Sequence, residues 1–408
     1  MSVKERLLRY VKIDTQSDPD CEEQHPSSRK QFDLAGLLVQ ELKEIGAADA
    51  ELDEHCYVYA HLPSNAGGNI PKIGFIAHMD TAPDFSGKDV KPRIIENYDG
   101  KDIRLNDERI TSVKKFPRMK ELAGKTLMVT DGTTLLGADD KAGIACIMDA
   151  VEYYFRHPEE KHGDISIAFT PDEEIGQGTA CFDLEKFNAD FAYTMDGDSV
   201  RHYSDETFNA VAAEVKVRGF SIHPGEAKGL MKNAGLIGAE YASRLPAALT
   251  PAHTAGREGF IHLSEIRGDV EEASLGYILR DFDEEKIRQY RTLMEQLAAY
   301  MNAEYGEGTV AVEFRETYHN MNEVLAEHPE VSRLAERALR SLGYEAERLP
   351  IRGGTDGAML SFRGLPCPNL GTGGNNFHGP HEYCVMEELE DASLLIRTIL
   401  KLAAEDAK

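Results

Sequence analysis

Five short stretches of this 408-residue chain set histidines or carboxylates where an apolar run ends or a helix begins. "KIGFIAHMDTAPD" runs apolar from Ile73 to Ala77 and then offers His78 and Asp80, two residues apart. "LLGADDKAG" offers Asp139 and Asp140, and "FTPDEEIG" offers Asp172, Glu173 and Glu174. "YTMDGD" offers Asp196 and Asp198, and "NNFHGPHEY" offers His378, His381 and Glu382. Singly, each has an ordinary explanation as a polar loop, a helix N-cap or a turn. Together they point to a shared metal centre, because ligands at the carboxyl ends of strands converge in the crevice there.

The residue types narrow the chemistry. Histidines with carboxylates suit zinc, manganese or cobalt better than magnesium or calcium. The absence of cysteine from these stretches argues against a closed structural zinc site. A pair of metals ~3.5–4 Å apart needs a bridging carboxylate and clamps a water and a polarised carbonyl together. A carboxylate off the metals must then take the water's proton, and the neighbours Glu173 and Glu174 can divide those tasks. A ligating histidine donates its other ring N–H to a carboxylate, which Asp80 can provide for His78.

The elements that must position these groups alternate between helical and extended patterns up to about Asp205. "RKQFDLAGLLVQELKEIG" reads as a helix stopped at Gly46, and "KAGIACIMDAVEYYFRH" as another. "CYVYAHLP", "KIGFIAHMD", "DISIAFT" and "FAYTMDGD" read as strands. This order predicts an α/β layered domain with a mainly parallel sheet. From Asn209 the pattern becomes β-α-β-β-α-β, the order of a ferredoxin-like α+β unit. The α/β pattern resumes near Met321 and ends in the helix "LEDASLLIRTILKLAAE". The expected organisation is therefore a catalytic domain of residues 1–208 and 319–408, interrupted by a lid of residues 209–318. An inserted domain would create a cleft, a favoured place for a ligand.

Composition excludes several classes. With 71 acidic against 45 basic side chains the formal net charge is −26, which disfavours nucleic acid and anionic membranes as partners. No apolar run approaches the ~20 residues of a membrane span, and the N-terminal stretch reads as an amphipathic helix, not a signal peptide. Six scattered cysteines without CxxC spacing read as free thiols and point to the cytoplasm.

"HMDTAPD", "LLGADDKAG", "FTPDEEIG", "YTMDGD" and "FHGPHEY" resemble the M20 family of di-zinc peptidases and acylases, over essentially the whole chain. "PIRGGTDGA" and "GLPCPNL" bring the resemblance closest to its tripeptide aminopeptidases. The resemblance implies two zinc ions per subunit, with manganese or cobalt as substitutes. His78 and Asp196 would hold one ion and Glu174 and His378 the other, with Asp140, which directly precedes Lys141, as the bridge. Asp80 would orient His78, and Glu173 would be the general base. His223 in "FSIHPGEAKG" would stabilise the oxyanion, and Arg280 or Arg352 would hold a peptide carboxylate. A small peptide substrate is implied, and a homodimer is an assembly the family allows. The same metal core could serve a dipeptidase, a carboxypeptidase or an N-acyl amino acid deacylase, and a peptide-binding module without turnover is the reading from another class.

Overall fold

The structure, a computed structural model, describes residues 1–21 and 24–407. The chain divides into two compact units. The first comprises Met1–Asp205, Met321–Leu349 and Thr355–Lys408, and the second Glu206–Asn320 with Pro350–Gly354. The short return of Pro350–Gly354 to the second unit has no counterpart in the sequence pattern. It is held there by strand-like pairing of Thr207 with Ile351.

The first unit is built on an eight-stranded mixed sheet. Four parallel strands form its middle, in the order Ile165–Thr170, Ile73–His78, Phe191–Gly197 and Asn369–Gly371. The expected parallel character holds there. Antiparallel pairing enters where Val58–Leu62 joins Ile165–Thr170 and where His202–Ser204 joins Asn369–Gly371. All six residues of Ile73–His78 are buried, as for a central strand covered on both faces. Gly74 is required because a Cβ there would sit 2.3 Å from the Phe187 ring. Helices Val3–Tyr10, Ala138–Arg156, Pro329–Ser341 and Met386–Asp406 contribute to the main core. Among the described residues no helix is long and apolar enough to cross a membrane.

A second, smaller sheet in this unit decides the site. It orders Gly374–Asn375, Tyr383–Val385, Leu127–Val129 and Arg93–Ile95. Tyr383 pairs with Val129 and Val385 with Leu127, so the His378 loop is carried next to the segment leading to Asp139.

The second unit has one four-stranded antiparallel sheet, ordered Phe260–Gly268, Glu272–Asp281, Asn209–Arg218 and Val310–Tyr318. Helices Ala234–Arg244 and Glu284–Tyr305 bury their apolar stripes against it. The alternating burial of Asn209–Arg218 follows from one face being covered and the other open.

Candidate metal centre

His78 ends the central strand and is 2% exposed. Its Nε2 lies 2.9 Å from Asp139 Oδ1 and 3.6 Å from Asp196 Oδ1. Its Nδ1 lies 3.3 Å from Asp80 Oδ1 and 3.1 Å from the Asp80 carbonyl. Those acceptors hold a proton on Nδ1, so Nε2 is the ring atom turned to the carboxylates and the one a cation would take. A second group forms around His378, whose Nε2 lies 2.9 Å from Glu174 Oε2 and 3.3 Å from Asp139 Oδ2. Asp139 thus turns one oxygen to each histidine and belongs to both candidate ligand sets, His78–Asp139–Asp196 and Asp139–Glu174–His378.

This corrects the sequence expectation for the shared carboxylate, which fell on Asp140. Asp140 is 1% exposed, and its oxygens accept the backbone N–H of His78 at 3.3 Å and of Gly143 at 3.2 Å. Asp139 (φ −83°, ψ 104°) and Asp140 (φ −119°, ψ 35°) are both non-helical. The two neighbouring side chains take different partners. Asp140 therefore ties down the His78 strand from within, while Asp139 faces the histidines.

Buried acceptors hold the other segments. Asp80 Oδ1 accepts the Glu173 N–H at 3.0 Å and Oδ2 the Glu174 N–H at 3.2 Å, fixing the turn that carries both glutamates. Asp172, at a left-handed φ of 57°, anchors the same turn by accepting from Ser27 N, Ser27 Oγ and Gln31 Nε2, each at 2.6 Å. Asn369 brackets Asp196, accepting its N–H and donating to its carbonyl, both at 3.1 Å. His381, the alternative histidine of its motif, shares a hydrogen bond with Thr111 at 2.9 Å and packs on Phe116, away from both groups. The sequence reading gave no task to Asp172, Asn369 or Glu382, although "PDEE", "CPNL" and "PHEY" contain them.

The electrostatics are those of a crowded acidic pocket. Burial pushes the Glu173 carboxyl well above its ordinary range, helped by Asp196. Burial, then Asp139, raises Glu174 to about 8, and burial raises Asp196 to about 6. Asp139 is also buried, but hydrogen bonds from His378 and His78 bring it below the usual carboxylate range. Burial would lower His78; its carboxylate partners, Asp139 first, instead raise it well above the usual imidazole value. Such a cluster holds protons when no cation balances it. Glu174 Oε1 is buried with no hydrogen-bond partner. An orphaned carboxylate oxygen in a group with His378 and Asp139 fits a divalent cation.

In the second unit, His223 is exposed, and its Nδ1 accepts the Gly225 N–H at 3.1 Å. Arg280 donates to the Arg352 carbonyl at 3.3 Å, and its Nε is buried without a partner. Arg352 is differently placed. It donates to the carbonyls of Gly256 at 2.7 Å and Glu258 at 2.6 Å and to Thr254 Oγ1 at 3.2 Å, and it covers the Phe208 and Phe260 rings. Its guanidinium is engaged in holding the 254–258 segment, so Arg280 is the freer candidate for a carboxylate clamp.

Residues 130–402 match the model of "Peptidase family M20/M25/M40". The chain belongs to this family. A protein named peptidase T from Caldanaerobacter subterraneus subsp. tengcongensis is 52% identical over 402 residues, covering 98% of each chain. Among solved structures, a tripeptidase from Staphylococcus aureus superposes with a TM-score of 0.76 at 22% identity, covering 99% of this chain and 98% of that one. A Bacillus subtilis protein described as a dinuclear metal binding peptidase from the M20 family superposes with a TM-score of 0.61 at 16% identity, covering 99% of each. These last two likenesses bear on the fold. Membership of a peptidase family gives the two groups that share Asp139 a chemical context.

Proposed function

We propose that this chain is a metal-dependent aminopeptidase that releases the N-terminal residue from tripeptides. The observation that carries the reading is the pair of ligand groups sharing Asp139, with an unligated Glu173 beside Glu174 on one fixed turn. Near-full-length similarity to relatives named peptidase T supports the substrate class. In this reading His78, Asp139 and Asp196 would hold one zinc ion and Asp139, Glu174 and His378 the other. Bound there, the ions would supply polarisation of the peptide carbonyl and a water of lowered pKa.

The side chains then have separate tasks. Glu173 takes a proton from the attacking water and returns it to the leaving amine. The burial that raises its affinity for a proton suits it to both steps near neutral pH. Asp80 orients His78 and fixes the backbone of both glutamates. The hydrogen bond that His223 Nδ1 accepts puts the neutral ring's proton on Nε2, a donor suited to an oxyanion. The orphaned Nε of Arg280 suits a carboxylate, here the C-terminus of a short peptide. A cytoplasmic location and a homodimer complete the proposal, with cell fractionation and sedimentation as their tests.

The test is hydrolysis of a free tripeptide by the zinc-loaded protein, with Glu173→Ala and the chelated protein alongside. Release of the first residue and a dipeptide, lost in both controls, is the expected result. Turnover of a dipeptide or an N-acyl amino acid in place of the tripeptide would keep the metal centre and overturn the substrate. Equal hydrolysis of a tripeptide and its C-terminal amide would remove the carboxylate clamp.

A further inference from the structure

Glu382 has no task in the chemistry above, yet it is one of the most enclosed carboxylates in the molecule, at 1% exposure. Its Oε2 accepts the N–H groups of Leu136 at 2.7 Å and Gly137 at 2.9 Å. Its Oε1 accepts the N–H of Asp139 at 3.1 Å. These amides belong to the segment leading into the helix Ala138–Arg156, whose backbone is still non-helical at Asp139 and Asp140. A carboxylate from the far end of the sequence satisfies the buried backbone donors of that segment and fixes its path.

The other end of Glu382 belongs to the His378 loop. Strands Gly374–Asn375 and Tyr383–Val385 pair with each other and close this loop, and the Glu382 N–H donates to Gly379 O at 3.2 Å. Asn376 and His378 sit at φ values of 56° and 61°, a conformation that residues other than glycine rarely adopt and that surrounding contacts must hold. One side chain therefore joins the backbone of Asp139 to the loop of His378. Those two residues face each other at 3.3 Å in the group that also contains Glu174.

We propose that Glu382 is a positioning residue that sets the spacing between Asp139 and His378 and so tunes the cation position formed by Asp139, Glu174 and His378. The position formed by His78, Asp139 and Asp196 feels it only through Asp139. The proposal rests on the two-cation reading of the site.

Glu382→Gln tests it sharply. The amide oxygen can still accept from Leu136 and Gly137, but the amide NH2 then meets the N–H of Asp139, donor against donor. The metal-free protein would be titrated with Co²⁺, following calorimetry and the visible absorption of the bound ion, with thermal melts in parallel. Glu382→Asp, whose shorter side chain cannot span both contacts, is the second variant should Glu382→Gln fail to fold. Asp283→Ala, which removes the cap of helix Glu284–Tyr305 in the other unit, controls for a loss of stability alone. The expected result is one Co²⁺ bound as in the native protein and the second weakened about 10–100-fold, with an altered absorption spectrum. The control would show a lower melting temperature and native binding of both ions. Two native affinities in a folded Glu382 variant would overturn the proposal, as would equal weakening of both. A native chain that binds no cation would instead overturn the two-cation reading.

Discussion

Replacing Asp139 and Asp140 one at a time by asparagine separates two carboxylates that are adjacent in the chain and opposite in task. Asp139 directs Oδ1 at His78 and Oδ2 at His378, so Asp139→Asn removes charge from both candidate ligand sets at once. Outer partners of metal ligands are worth about 10–100-fold in affinity, and a shared ligand must exceed that. The expected result is loss of tight binding of both ions. Asp140 instead accepts two backbone N–H groups, from His78 and Gly143. Asparagine keeps one acceptor and turns a donor toward the other amide, so one hydrogen bond is lost and one N–H is left buried. That loss is worth about 1–3 kcal/mol of stability. Burial and the nearby Asp196 raise the Asp140 carboxyl well above its usual range, so little charge is lost in the metal-free chain. Asp140→Asn should therefore unfold at lower urea and still bind two ions, within the 10–100-fold loss of an outer partner. The assay is metal stoichiometry and affinity by calorimetry, beside urea melts of the chelated proteins. Two ions bound natively by Asp139→Asn, with fewer bound by Asp140→Asn, would refute the assignment.

Four further outcomes follow from the same geometry. Metal loading should release protons near neutral pH, because burial holds Glu174 up to about 8 and Asp196 up to about 6; a binding heat independent of the buffer's ionisation enthalpy would contradict this. The sign for stability runs the same way: a carboxyl raised on folding binds more protons folded than unfolded. The chelated protein should accordingly lose stability as pH climbs from the ordinary carboxylate range toward about 8, and a flat or rising profile would count against it. Asp80→Ala frees the His78 ring and the Glu173–Glu174 turn together, so kcat/KM should fall by at least the ~10–100-fold typical of an outer metal partner, and near-native turnover would remove its orienting task. Arg352→Ala should cost about 0.5–1.5 kcal/mol of stability, because water can replace the guanidinium at the exposed Gly256 and Glu258 carbonyls, and leave the KM for tripeptides unchanged, whereas a raised KM at native stability would return Arg352 to the substrate.

Much of the architecture is legible in the chain itself. The apolar run before His78 is a buried strand, and Gly46 ends its helix at φ 123°. The strand and helix order of residues 209–318 folds as its alternation implies. Each depends on local periodicity or on one residue's backbone preference, and both are written in neighbouring positions. The smaller sheet was not legible. Its strands are two or three residues long and come from segments near 94, 128, 374 and 384, too short to show a period.

The site divides along the same line. Residue type and spacing by themselves placed five clusters of histidines and carboxylates at element ends as candidate metal ligands, and the family resemblance alone chose His78, Glu174, Asp196 and His378 from among them. Only the tertiary structure decided that Asp139, not its neighbour, faces both histidines, and that Glu382 takes the Asp139 N–H 243 residues back in the chain. It also decided that Arg352 is spent on its own unit. A side chain's identity is local, but its direction follows from the dihedral angles on either side of it. Its partners follow from segments that meet only when the sheets have formed.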